Sequence, residues 1–133
     1  MSNFFAELEA GFKNHADQPA LILSGQDDWS YAELLLQINR AAAELAAIGA
    51  GAGDRVLVQL PKSSENLALY LACLKLGLVY VPLNTGYTAA ELDYFVSDAE
   101  PVLYVGEQHR SDVVSATLQP LSLIHICAAD EVD

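Results

Sequence analysis

The stretch "VYVPLNTGYTAAELDYF", from Val79 to Phe95, decides how this chain is read. A short apolar strand, Val79 to Leu83, runs into Asn84-Thr85-Gly86 and then into a well-marked helix start. In Thr88-Ala89-Ala90-Glu91 the threonine hydroxyl is spaced to accept from the backbone of Glu91, while the Glu91 carboxylate reaches back to Thr88. Tyr87 and Leu92 are placed to staple the chain on either side of that cap. The amides at the helix start are thus taken up by the protein itself, and Asn84-Thr85-Gly86 reads as a structural turn rather than an anion site.

The same strand-then-helix unit recurs on both sides. Val56 to Leu60 reads as a strand, Ser64 to Leu76 as a helix stopped by Gly77, and Thr88 to near Ser97 as the next helix. Val102 to Val105 is again a strand, His109 to Leu118 a helix, and Leu121 to Ile126 a last strand. The strands between Val56 and Val105 are continuous apolar runs rather than alternating ones, the pattern of strands covered on both faces. Their alternation with helices implies right-handed crossovers. The expected fold class is α/β, a mainly parallel layered sheet with flanking helices.

Upstream, Phe4, Phe5, Leu8 and Phe12 recur at helical spacing and mark a first helix ending near Asn14, with Pro19 as a breaker. Ala20 to Leu23 reads as a short strand, and Gly25-Gln26-Asp27-Asp28 as a turn back to Trp29. Ser30-Tyr31-Ala32-Glu33 is a further capping box, with Trp29 and Leu34 as its staple. The helix it opens carries a stripe of Leu34, Ile38, Ala41, Leu45 and Ile48 and stops at Gly49.

Composition limits the function. The 133 residues are 53% hydrophobic, enough for the core of one globular domain. Eighteen acidic residues against six basic ones give a net charge of -12 with no basic stripe, which excludes nucleic acid and anionic membrane as partners. Neither a secretory leader nor an apolar run of bilayer length is present, so a cytoplasmic, soluble chain is expected. Cys73 and Cys127 lack CxxC spacing and read as plain thiols. His15, His109 and His125 form no metal set, and no nucleophile elbow occurs. Asp27-Asp28 and Asp130-Glu131 read as a turn and a solvated acidic tail.

Two stretches imitate phosphate loops. Gly49-Ala50-Gly51-Ala52-Gly53-Asp54 closes a helix and leads into a strand, whereas a dinucleotide loop must follow a strand and open a helix. Pro61-Lys62-Ser63-Ser64 does sit between a strand and a helix, but no glycines precede Lys62 to supply a cradle of amides. Ser63 or Ser64 is the helix cap. Lys62 stays an anion candidate only through its place at the carboxyl end of a strand.

Two motifs then resemble a known family. Trp29-Ser30-Tyr31-Ala32-Glu33-Leu34 looks like the first motif of adenylate-forming enzymes, and Leu74-Lys75-Leu76-Gly77-Leu78-Val79-Tyr80-Val81-Pro82-Leu83-Asn84 looks like the second. A narrower match runs from Lys62 to Pro101. Lys62-Ser63, Leu69-Tyr70-Leu71-Ala72, Pro82-Leu83-Asn84-Thr85, Tyr87-Thr88, Glu91-Leu92-Asp93-Tyr94-Phe95 and Asp98-Ala99-Glu100-Pro101 resemble malonyl-CoA synthetases. The likeness fades after Gly106.

The resemblance implies part of an AMP-dependent acid-CoA ligase that joins malonate to CoA through an acyl adenylate, using ATP, Mg2+ and CoA. Fatty-acyl or aryl-CoA ligases and peptide-synthetase adenylation domains are the alternatives within that superfamily, and a free-standing flavodoxin-like binding module is the alternative outside it. The family's Ser/Thr/Gly-rich loop followed by Pro-Lys-Gly has no counterpart here. Residues 1–133 are accordingly expected to be a partial N-terminal domain without the C-terminal lid and inactive alone. No catalytic, cofactor-binding or metal-ligating residue is assigned to any position, and ATP, Mg2+ and CoA are not expected to bind the chain tightly.

Overall fold

The computed structural model describes residues 2–21, 28–107 and 122–126. They form two compact units, 1–51 with 62–77, and 52–61 with 78–133.

The first unit holds α1 (Ser2–Asn14), β1 (Pro19–Leu21), β2 (Trp29–Ser30), α2 (Tyr31–Ile48) and α3 (Ser64–Leu76). Helix α2 starts where three of its first amides find acceptors. Tyr31 N donates to the Gln18 carbonyl, Ala32 N to that of Ala16, and Glu33 N to the Ser30 hydroxyl. It ends at Gly49, whose φ of 100° is open to glycine at no steric cost. Leu34, Ile38, Ala42 and Leu45 are its buried face.

Lys75, near the end of α3, cross-braces the three helices. Its Nζ donates to Asn39 Oδ1 on α2 at 2.7 Å, pairs with Glu9 on α1 at 3.6 Å, and lies 5.7 Å from the Phe5 ring centroid. The Phe12 and Tyr31 rings, 5.3 Å apart, tie α1 to α2.

The second unit holds β3 (Arg55–Gln59), β4 (Val79–Pro82), α4 (Ala89–Ala99), β5 (Leu103–Glu107) and β6 (Ser122–Ile126). The four strands form one parallel sheet in the order β4-β3-β5-β6. Val56, Leu57 and Val58 of β3 are all buried, so both faces of the central strand are dry. On one face Leu57 and Tyr104 join Leu83 and Leu92 in a core cluster against which Val81, Tyr87, Phe95, Val96 and Ala99 pack. That cluster seats α4 on the sheet.

The α/β class and the parallel sheet expected from the sequence are what the structure has. Helix α3 covers the expected residues, and α4 begins with both halves of the Thr88–Glu91 capping box. Several details differ. Trp29–Ser30 is a strand paired antiparallel with Pro19–Leu21, so Pro19 opens a strand instead of only ending a helix. At Ser30 only the first half of the capping box forms, because the Glu33 carboxylate accepts from Gln37 Nε2 at 2.6 Å instead.

Within α2 the buried alanine is Ala42, not Ala41, and Ile48 is 39% exposed, because the stripe follows 3.6 residues per turn and fades in the last turn. β4 is an edge strand with Val79 and Pro82 exposed, so it is not covered on both faces like β3. The turn at 25–27, residues 22 and 23 of the first strand, the helix at 109–118, Cys127 and the acidic tail lie outside the described residues.

Two measurements test this packing. Leu92 is wholly buried in the second unit's cluster, so Leu92→Ala is expected to cost about 2–4 kcal/mol, seen as a lower urea midpoint. Burial pushes the Cys73 thiol from its ordinary 9.0 up to about 11. Between those values the unfolded chain loses the proton and the folded chain keeps it, so folding stability should fall as pH rises through that window and be insensitive to this thiol below it. Cys73→Ala is expected to remove that component of the alkaline decline, of up to about 2–3 kcal/mol, in urea titrations compared across pH.

Candidate functional site

In an open parallel sheet the place to look for a ligand is the carboxyl edge, where the strand order reverses. Here β3 is followed in sequence by β4 on one side of it, and the chain then crosses to β5 on the other. The reversal therefore falls between the carboxyl ends of β3 and β5, where Gln59 pairs in register with Gly106.

That edge carries a chain of polar contacts. Gln59 and Ser64 are the buried polar side chains among the described residues, and Gln59 is wholly shielded. The Tyr104 hydroxyl donates to Gln59 Oε1 at 2.5 Å, and Gln59 Nε2 donates to the Asn84 carbonyl at 2.9 Å. The Asn84 side chain in turn accepts from Gly86 N at 2.7 Å, while its carbonyl accepts from Tyr87 N at 3.1 Å. One buried glutamine thus connects β5 to the turn that follows β4. Gly106 makes room for it: a methyl there would sit 2.6 Å from Tyr104 Cζ. The Tyr104 ring lies over that glycine to reach Gln59.

The turn at Asn84-Thr85-Gly86 is thus held by its own Asx-type contact from within and by Gln59 from beneath. The structural reading of this turn agrees with the geometry. Gln59 is the feature that sequence reasoning passed over, because one amide at the end of an apolar run carries no periodic signal and its partner Tyr104 is 45 residues away.

The other candidates separate cleanly. Ser63 caps α3, accepting from Asn66 N at 3.0 Å, and Thr88 caps α4, accepting from Glu91 N at 3.3 Å, so both helix starts spend amides on the chain's own side chains. Lys62 is exposed. Lys75 is committed to Glu9 and Asn39. His15 is exposed beside Tyr31, with ring centroids 6.4 Å apart. Among the described residues no group of three His, Cys, Asp or Glu side chains could hold a metal.

Two shallow clefts lie among the described residues. One of about 360 Å³ lies between α1 and α2, lined by Phe12, Ala16, Leu35 and Leu36 among others. Another of about 350 Å³ lies on α4 beside Tyr87, Tyr94 and Phe95, and its only carboxylate, Glu91, is engaged in the capping box. Neither brings together the polar groups that fix a reacting substrate. No described helix is long and apolar enough to cross a membrane.

Comparison with known proteins supplies the wider frame. The AMP-binding enzyme family matches residues 8–132. MatB from Rhodopseudomonas palustris, in its apo crystal structure, is 40% identical with a TM-score of 0.84, covering 92% of this chain and 25% of MatB. A probable CoA ligase, CCL9, from Humulus lupulus is 31% identical over 91% of this chain and 23% of its own length. Acetyl-coenzyme A synthetase from Mycobacterium tuberculosis is 32% identical over 94% of this chain and 20% of its own length. The chain therefore spans a quarter or less of each of these relatives, and it matches the N-terminal part of their fold. With its parallel sheet, its two motifs and this match along nearly the whole sequence, the chain belongs to the AMP-binding enzyme family.

Proposed function

We propose that residues 1–133 are the first part of the N-terminal domain of an acid-CoA ligase whose acid is malonate, with malonate, ATP and CoA giving malonyl-CoA, AMP and pyrophosphate. The observation that carries the choice of acid is the likeness to MatB, a malonyl-CoA synthetase, at 40% identity and a TM-score of 0.84. The Lys62 to Pro101 resemblance supports the same acid independently of the fold.

In this reading the chain supplies scaffold. The starts of α2, α3 and α4 are closed by Ser30, Ser63 and Thr88, Lys75 braces helices, and the net charge of -12 leaves phosphate and carboxylate handling to other segments of the enzyme. ATP, Mg2+ and CoA belong to the larger enzyme, and we assign none of residues 1–133 to catalysis. The C-terminal lid lies outside this chain on the same reading. A cytoplasmic location agrees with the soluble CoA ligases that it resembles.

A second reading keeps the family and changes the acid to a monocarboxylate, on the strength of the likeness to acetyl-coenzyme A synthetase at 32% identity. The acid preference of the complete ligase separates the two. Malonate-dependent exchange of pyrophosphate into ATP is expected, with kcat/KM for malonate above that for acetate by about two orders of magnitude, since a second carboxylate engages a partner that acetate leaves unpaired. Preference for acetate or a longer monocarboxylate would overturn malonate. The 133-residue chain alone is expected to show no exchange, and turnover by it would overturn the scaffold role.

A further inference from the structure

The polar chain beneath the Asn84 turn goes further than a packing detail. Gln59 is the last residue of β3, wholly buried, and both ends of its amide are used: Oε1 by the Tyr104 hydroxyl at 2.5 Å and Nε2 by the Asn84 carbonyl at 2.9 Å. Its neighbour across the ladder, Gly106, has no side chain, and the space a methyl would take is filled by the Tyr104 ring. Gln59 and Gly106 stand at the carboxyl ends of β3 and β5, where a parallel sheet of this strand order places ligands, and the Tyr104 side chain reaches them from the second position of β5.

A nucleotide-binding module of this order keeps that crevice open for its ligand. This chain spends a buried polar contact there on fixing an exposed turn. Asn84, Thr85 and Gly86 are exposed, while the carbonyl that Gln59 grips is the one around which the turn closes.

We infer that Tyr104, acting through Gln59, is a positioning residue: the pair holds the Asn84-Thr85-Gly86 turn in one conformation at the edge that faces substrate. The last clause rests on the ligase reading above. The holding of the turn does not.

Two substitutions isolate the device. Tyr104→Phe removes one hydroxyl and keeps the ring, and Gln59→Leu removes both amide contacts at similar volume. In the 133-residue chain, amide hydrogen exchange at Gly86 and Tyr87 is expected to quicken about fivefold to tenfold in either variant, with exchange at Val58 and Val105 in the sheet unchanged. Unchanged exchange at Gly86 and Tyr87 would overturn the inference. So would a uniform rise that includes Val58 and Val105, because that is loss of global stability.

In the complete ligase, Tyr104→Phe is expected to raise KM for acid, ATP or CoA about threefold or more while kcat stays within about twofold. Unaltered KM for all three would overturn the substrate-facing role. Absence of turnover in the unsubstituted ligase would defeat the ligase reading, and with it that role, while the exchange measurement would still decide whether Tyr104 holds the turn.

Discussion

The second unit is organised around one obligation: the amide of Gln59, closed off from water at the end of β3, has to be satisfied from inside the protein. A buried amide without partners costs about 1–3 kcal/mol for each unmet group. Meeting that obligation requires a tyrosine on β5 long enough to reach across, a residue on β5 small enough to let the ring pass, and a carbonyl held at the right depth after β4. Tyr104, Gly106 and Asn84 are those three. The turn at Asn84 is in turn what delivers the chain to Thr88, where α4 starts and carries Leu92 and Phe95 onto the sheet. One polar contact thus fixes the spacing within which the apolar cluster assembles.

How much of this was legible in the sequence depends on the range of the interaction responsible. Caps are local, so Ser63 and Thr88 were readable from spacing alone, as were the terminators Gly49 and Gly77, both at positive φ. The parallel sheet was readable because unbroken apolar runs such as Val56 to Val58 have few other uses. Long-range pairings were not readable. Nothing in the pattern marks Gln59 as the partner of Tyr104, or Lys75 as the residue that joins Glu9 and Asn39 across three helices. The first short strand was read, at Ala20 to Leu23, but its antiparallel partner Trp29–Ser30 was not, because two residues are too few to show a period.

The functional conclusion is divided in the same way. Family membership rests on local motifs and on a match along residues 8–132, whereas the acid acted upon depends on side chains that converge from distant parts of a longer protein. The starts of α2, α3 and α4 in this chain are closed by the hydroxyls of Ser30, Ser63 and Thr88. Its strand order alone would also suit a flavodoxin-like nucleotide-binding module. The family match distinguishes it from one.

The most direct test of the central claim is the environment of the Gln59 side-chain amide in solution. With ¹⁵N-labelled chain, the account predicts slowly exchanging Gln59 Nε2 protons with cross-relaxation to the Tyr104 ring and to the Asn84 backbone. Rapid exchange with solvent, or an amide with no contact to Tyr104, would contradict it and remove the polar contact on which the turn, α4 and the sheet edge are argued to depend.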